Sequence, residues 1–255
     1  MDSIKSIADE CGATIIEDAA HALGARYEDG SMVGSCKYSD MTGFSFHPVK
    51  SIAAGEGGMI TTNNKDIYKK LIRLRSHGIN KLDDSLLNKS LSHTDGLKNP
   101  WYYEMQELGF NYRITDIQCA LGESQLKKLP KFIERRVELV EQYDQAFSNI
   151  ENIKSTQLRY RSQSSHHLYV IRIDYKSIKI SRAKLMTQLR DNGIITQVHY
   201  IPVTSQPFYE KLGFNTNDFP EALNFYEEAL SIPLYYSLSD QDQYKVIELI
   251  KKLIK

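Results

Sequence analysis

Two residues have the type and setting to do chemistry together: Asp18 and Lys50. Asp18 ends the run Ala13-Thr14-Ile15-Ile16-Glu17-Asp18, and Lys50 follows Phe44-Ser45-Phe46-His47-Pro48-Val49. The first run reads as a buried parallel strand, and open α/β sheets bind ligands at the carboxyl ends of such strands. A carboxylate there could hold a protonated ring nitrogen, the partner that lets a pyridoxal cofactor act as an electron sink. It could equally cap a helix or pair with a cation in a loop. A lysine held after a strand end, beside prolyl and glycine-rich backbone, can be partly desolvated. Desolvation lowers an amine's pKa and makes it a better nucleophile toward an aldehyde. Alone, Lys50 reads as a solvated surface lysine just as well. With Asp18 it would share one edge of one sheet.

Ser45 offers a hydroxyl that could bind phosphate or simply end its strand. The cluster Gly55-Glu56-Gly57-Gly58 is neither a Walker loop nor a GxGxxG fingerprint. It reads as a tight connection that lets backbone pass close to the lysine. None of the seven histidines falls in an HExxH or Cys/His spacing. His166 and His167 are adjacent and would face opposite sides of a strand, so no metal is expected. His21, three residues after Asp18, and His199, before Tyr200-Ile201-Pro202, could each be structural or functional.

The elements that must position these residues alternate between helix and strand. Residues 3–11 read as a helix with Gly12 past its end. Residues 13–16, 41–46 and 58–62 read as strands, and 65–76 as a basic amphipathic helix. The stretch 77–105, with Asp83-Asp84 and Trp101-Tyr102-Tyr103, has no clear period and reads as a long functional loop. Thr115 and Gln118 form a capping box, followed by an inward face of Ile117, Ala120, Leu121 and Ser124. Pro130 opens a longer helix with Ile133, Val137, Val140 and Phe147 inward. Residues 151–165 turn polar and irregular. Then 167–173 reads as a strand, 181–192 as a helix stopped by Gly193, and 195–200 as a strand. Two helices end the chain, the last capped by Ser239, with acids early and lysines late. The expected fold is α/β, with a larger domain over 1–150 that includes the long linking helix and a small α/β domain over 151–255.

Composition excludes several classes of partner. The 255 residues carry 32 basic and 32 acidic side chains, a formal net charge of +0, which offers nucleic acid or an anionic membrane no electrostatic footing. The three cysteines Cys11, Cys36 and Cys119 are scattered, as reduced thiols of a cytoplasmic protein would be. No apolar run is long enough to span a bilayer, and the N-terminus lacks the pattern of a signal peptide.

Read in series, the segments Ile16-Glu17-Asp18-Ala19-Ala20-His21-Ala22, Phe44-Ser45-Phe46-His47-Pro48-Val49-Lys50 and Gly55-Glu56-Gly57-Gly58 resemble the DegT/DnrJ/EryC1/StrS sugar aminotransferases. The likeness continues through Arg75-Ser76-His77-Gly78, residues 109–118 (Gly109 to Gln118) and Gln197-Val198-His199-Tyr200-Ile201-Pro202, and so covers essentially the whole chain. It implies a fold type I architecture with pyridoxal 5'-phosphate as cofactor. Lys50 would be the Schiff-base lysine and the proton carrier, Asp18 the partner of the pyridinium nitrogen, His21 a neighbour of the ring oxygen, and Ser45 a phosphate ligand. Asn111, with Arg113 assisting, would reach the cofactor phosphate of a second subunit, which implies a homodimer. His199 and Tyr200 would approach the substrate. Lysine at position 50 implies amino transfer, since relatives with histidine there are dehydratases. The Phe44–Lys50 segment and Pro100-Trp101-Tyr102-Tyr103-Glu104-Met105 look most like the pseudaminic acid branch. That branch uses L-glutamate and a UDP-linked 4-keto-6-deoxy-N-acetyl hexose. Family members also carry a long segment ahead of the Asp18 strand that is not in this sequence. The resemblance therefore implies either an aminotransferase completed by an N-terminal segment from another chain, or a catalytically impaired fragment or non-catalytic subunit that pairs with an intact homologue.

Overall fold

A computed structural model describes residues 1–81, 85–156 and 158–254, so Asp83 and Asp84 of the expected long loop lie outside the described residues. The chain forms two compact units, one of residues 1–23 and 27–127 and one of residues 24–26 and 128–255.

In the first unit, helix α1 (Asp2–Cys11) stops at Gly12, whose φ of 64° is a left-handed conformation that glycine adopts without steric cost. Strand β1 (Ile16–Asp18) runs parallel to β2 (Met41–Ser45), pairing Ile16 with Met41, Glu17 with Thr42 and Asp18 with Gly43. Strand β3 (Gly58–Thr61) lies antiparallel on the other side of β2, giving the order β1-β2-β3. The first strand thus begins at Ile16 rather than at Ala13. Nor is it buried on both sides: Ile16 is 66% exposed. β1 is an edge strand here, and only one face of the sheet is packed.

Alternation along the strands sorts the residues. Glu17, Thr42 and Thr61 share the packed face; Ile16, Asp18, Gly43, Ser45 and Ile60 share the other. The packed face, which also carries Phe44 and Met59, has a polar patch around Glu17. The Glu17 carboxylate accepts hydrogen bonds from Tyr27, from Ser39 Oγ at 2.5 Å and from Thr42 Oγ1 at 3.3 Å, and Thr42 is fully buried.

Helix α2 (Lys65–Leu74) is capped by the Asn64 side chain, which accepts from the Asp66 and Ile67 N–H groups. The expected loop after it carries short elements: β4 (Ile79–Asn80), α3 (Lys89–Ser92), β5 (His93–Thr94), β6 (Leu97–Lys98) and β7 (Glu104–Met105). Strands β4 and β7 pair, as do β5 and β6. Helix α4 (Asp116–Leu126) has the expected capping box, and Gln118 Nε2 also donates to the Glu56 carbonyl at 2.9 Å. Its apolar face does not point inward: Ile117 is 84% and Leu121 45% exposed, because no described element of this unit covers that side.

The second unit has a closed core. Helix α5 (Leu129–Phe147) buries Leu139, Val140, Tyr143 and Phe147. They pack with Ile171 and Ile173 of an antiparallel sheet made of β8 (Ile153–Ser155), β9 (Tyr169–Ile173) and, following α6 (Arg182–Asp191), α7 (Pro207–Lys211) and α8 (Pro220–Glu228), β10 (Ala229–Ile232). Leu185 and Leu189 of α6 and Ile250 of α9 (Asp240–Leu253) close the cluster. The compact division therefore falls at 127/128 rather than near 150, since the apolar stripe of α5 is buried here. That stripe also includes Arg136, whose Nη1 donates to the carbonyls of His166, His167 and Leu234 at 3.0–3.1 Å. The expected strand over 195–200 is a single bridge between Gln197 and Ser231. Strand β10 sits within the segment read as helices only, its four residues all buried. No described helix is long and apolar enough to cross a membrane.

Candidate active site

Because β1 and β2 run parallel, their carboxyl ends lie side by side. Asp18 faces Gly43, and Ser45 stands two residues further along on the same side. The ladder extends one step past Asp18, where the Ala19 N–H donates to the Gly43 carbonyl at 2.9 Å. Asp18 Oδ1 accepts the Ala20 N–H at 3.0 Å, which turns the exposed carboxylate at the strand end.

After Ser45 the chain closes a loop. The Phe46 N–H donates to the Gly57 carbonyl at 2.8 Å, the Ala54 N–H to the Phe46 carbonyl at 3.0 Å, and the Lys50 N–H to the His47 carbonyl at 2.9 Å. Ile52 and Ala54 are buried and anchor the returning arm, and Lys50 is half-buried. A Cβ on Gly58 would lie 2.6 Å from the Phe44 carbonyl oxygen, so only glycine lets β3 come this close to β2. A Cβ on Gly43 would meet nothing nearer than the Glu17 carbonyl at 3.8 Å, which leaves the face over the middle strand open.

The described residues thus bring Asp18, Ser45 and Lys50 to one end of one sheet. A carboxylate and a hydroxyl beside an open, glycine-floored face, with a lysine in the loop that follows, are a donor set that fits a pyridoxal cofactor: an acceptor for a ring N–H, a phosphate donor and a nucleophile. His21 is exposed in the turn just beyond β1.

Asn111 and Arg113 lie elsewhere in the same unit. Asn111 is exposed and forms a backbone bridge with Ser76, while the His77 N–H donates to the Phe110 carbonyl at 2.8 Å and the Tyr112 N–H to the Arg75 carbonyl at 2.9 Å. Two glycines allow this crossing. A Cβ on Gly78 would stand 1.7 Å from the Glu107 carbonyl oxygen, and one on Gly109 would stand 2.1 Å from the Gly78 nitrogen. Arg113 lines a cavity of about 590 Å³ with Lys69, Arg73, His77, Lys81 and Tyr103; Asp18, Ser45 and Lys50 are not among its lining residues. In the second unit, His199 Nδ1 lies 2.7 Å from Ser231 Oγ, and Tyr200 is 63% exposed.

The sequence reading passed over Glu17 and Gly43. Their signal was the alternation itself: in a strand ending in a functional Asp18, the neighbouring acid must face the other way. Burial and the Glu17 carboxylate push the Tyr27 phenol well above its usual range.

An α/β layer with a carboxylate and a lysine at the shared end of parallel strands places the chain in a class, the fold type I aminotransferases. Residues 1–251 match the DegT/DnrJ/EryC1/StrS aminotransferase family, and the chain belongs to it. It is 37% identical over 259 aligned residues to the UDP-4-amino-4,6-dideoxy-N-acetyl-beta-L-altrosamine transaminase of Campylobacter jejuni, covering 99% of this chain and 63% of that protein. The solved structure of Helicobacter pylori PseC, described as an aminotransferase of pseudaminic acid biosynthesis, superposes with a TM-score of 0.85 at 29% identity, covering 99% of this chain and 62% of that one. The PLP-form of a sugar aminotransferase described as putative, from Streptococcus pneumoniae, superposes with a TM-score of 0.79 at 30% identity, over 95% of this chain and 59% of that one. The chain thus spans less than two thirds of the length of these relatives.

Proposed function

We propose that the chain forms the lysine-bearing part of a sugar aminotransferase that uses pyridoxal 5'-phosphate. Its reaction moves an amino group from L-glutamate to C4 of a UDP-linked 4-keto-6-deoxy-N-acetyl hexose. The observation that carries this reading is the placement of Asp18 and Ser45 along one side of the β1–β2 end, beside the open face over Gly43, with Lys50 in the loop that leaves β2. The names of the Campylobacter and Helicobacter relatives support the sugar class.

When bound, the cofactor supplies an electron sink for the carbon that gains or loses nitrogen. Asp18 holds a proton on the ring nitrogen by charge and hydrogen bonding. Lys50 Nζ would hold the cofactor at its carbonyl carbon with loss of water. Once the donor's amine displaced it, the freed lysine amine would take a proton from the donor's Cα and, in the second half of the reaction, deliver one to the sugar C4. Ser45 Oγ donates to phosphate, and His21 lies beside the ring oxygen. Arg113, in a cavity that Asp18, His21, Ser45 and Lys50 do not line, acts with Asn111 on the cofactor phosphate of a second copy. His199 and Tyr200 meet the sugar nucleotide.

A second reading, a subunit that docks on a homologous chain and leaves the chemistry to it, is favoured by one observation. Leu108, Phe110, Tyr112 and Ile117, which flank Asn111 and Arg113, are all more than half exposed. Titration with pyridoxal phosphate separates the two. A visible absorbance band that L-glutamate bleaches and Lys50→Ala abolishes supports the enzyme, with the protein of cytoplasmic origin purified under reducing conditions. A chain that binds a homologue yet gives no band supports the docking subunit.

A further inference from the structure

The sheet that presents Asp18 on one face carries a hydrogen-bonded carboxylate on the other. β1 is only three residues long and has one strand neighbour, so few backbone bonds hold it in place. Glu17, its middle residue, faces away from Asp18 and is gripped from three directions. Tyr27 approaches from the loop that follows β1, Ser39 Oγ (2.5 Å) from just before β2, and Thr42 Oγ1 (3.3 Å) from β2 itself. Ser39 and Thr42 are in turn 3.3 Å apart, and Thr42 Oγ1 lies 3.6 Å from the buried thiol of Cys36. Hydrogen bonds to a charged acceptor are stronger than neutral ones, and those removed from water are screened least.

We propose that Glu17 is a positioning residue for the carboxylate of Asp18. Its carboxylate, clamped by the Tyr27, Ser39 and Thr42 hydroxyls, pins the register of β1 against β2 and so fixes where Asp18 projects. A slip of one residue would turn Asp18 to the packed side and Glu17 to the open one. The clamp also ties the 19–40 segment to the strand at two points, Tyr27 and Ser39. This inference rests on the proposed role of Asp18, and its test keeps the two apart.

The first measurement needs no cofactor. Amide hydrogen exchange is followed at Ala19, which donates to Gly43, and at Ala20, which donates to Asp18 Oδ1. In Glu17→Ala, and to a smaller extent in Tyr27→Phe, exchange at these two amides should speed up by about tenfold, the effect expected from losing hydrogen bonds to a charged group. Amides of β9 in the other unit should keep their rates, which separates local release from general unfolding. Glu17→Gln, which keeps the shape and can still accept from the hydroxyls, should restore most of the protection. Unchanged exchange at Ala19 and Ala20 in both Glu17→Ala and Tyr27→Phe overturns the proposal. The second measurement is pyridoxal phosphate affinity in Asp18→Asn and Glu17→Ala. Weakened binding in both supports the positioning role. If Asp18→Asn binds as the native chain does while exchange still responds to Glu17→Ala, the clamp stands and the assigned role of Asp18 fails.

Discussion

The two units differ in what their sheets pack against. In the unit built on α5, β8–β10, α6 and α9, the sheet packs on a cluster of aliphatic and aromatic side chains, and the buried Arg136 turns its Nη1 to three carbonyls. In the unit built on β1–β3, the packed side of the sheet sets hydroxyls around the Glu17 carboxylate beside Phe44, and Ile16, Met59 and Ile60 are about half exposed or more. A closed apolar core resists deformation and tolerates little change in volume. A hydrogen-bonded underside holds position by direction instead, which would suit the open ligand face proposed for this sheet.

Four measurements would sharpen this contrast or break it. The largest effect is expected at Lys50. Lys50→Ala should lower amino transfer by about a thousandfold or more, the scale seen when a covalent or proton-carrying group is removed, while urea unfolding of the second unit stays as it was. Loss of stability in that unit would show that the two are not independent. Next, Arg136→Met should destabilise the second unit by about 3 kcal/mol, because three buried carbonyls lose their donor; chemical denaturation reads this. Pyridoxal phosphate binding in the first unit should not change.

The third expectation concerns acid. Burial, with the Arg161 cation adding to it, pulls the His166 imidazole from 6.5 down to about 4. The fold therefore favours the neutral ring. Its contribution is complete above pH 6.5 and is lost as pH falls toward about 4, where the unfolded chain already holds the proton. Unfolding free energies between pH 7 and 4 should drop by about 3 kcal/mol more for the native chain than for His166→Asn. Asparagine suits the left-handed backbone at this position, where φ is 50°. Parallel pH curves would exclude the ring as the acid-sensitive group. The smallest effect should come from Ile16→Ser on the open face, within about 0.5 kcal/mol for the chain alone. A cost well above that would mean that a second copy or another polypeptide covers this face in solution, and sedimentation at several concentrations would distinguish them.

Much of this was legible in the sequence where the signal is local. Asn64 and Ser239 cap helices through their own side chains, Thr115 and Gln118 close a box, and Gly12 and Gly193 stop helices at positive φ. The parallel pairing of β1 and β2 brings Asp18 and Ser45 to one end of the sheet, as the alternation of helix and strand leads one to expect. What failed depended on distant partners. The stripe of α4 was read as inward, yet Ile117 and Leu121 meet no covering element here. Residues 195–200 look like a strand, but only Gln197 finds a partner. Strand β10 was missed since Ala229-Leu230-Ser231-Ile232 follows a helix without a break in sequence, and its identity comes from pairing with β9. Arg136 was invisible for the same reason: an arginine on an apolar stripe looks like an outward residue until three carbonyls converge on it.

The crossing of Gly78 and Gly109 has a consequence for how this surface can change over generations. Around it, Leu108, Phe110 and Tyr112 project into solvent and could be exchanged freely as far as this chain's own folding is concerned. The two glycines could not, because their neighbours are backbone atoms that no compensating substitution can trim. A randomised library over residues 108–112, selected only for folding, should therefore return variety at 108, 110 and 112 and glycine at 109. A loop mounted on so fixed a pivot can alter its surface without altering where it stands.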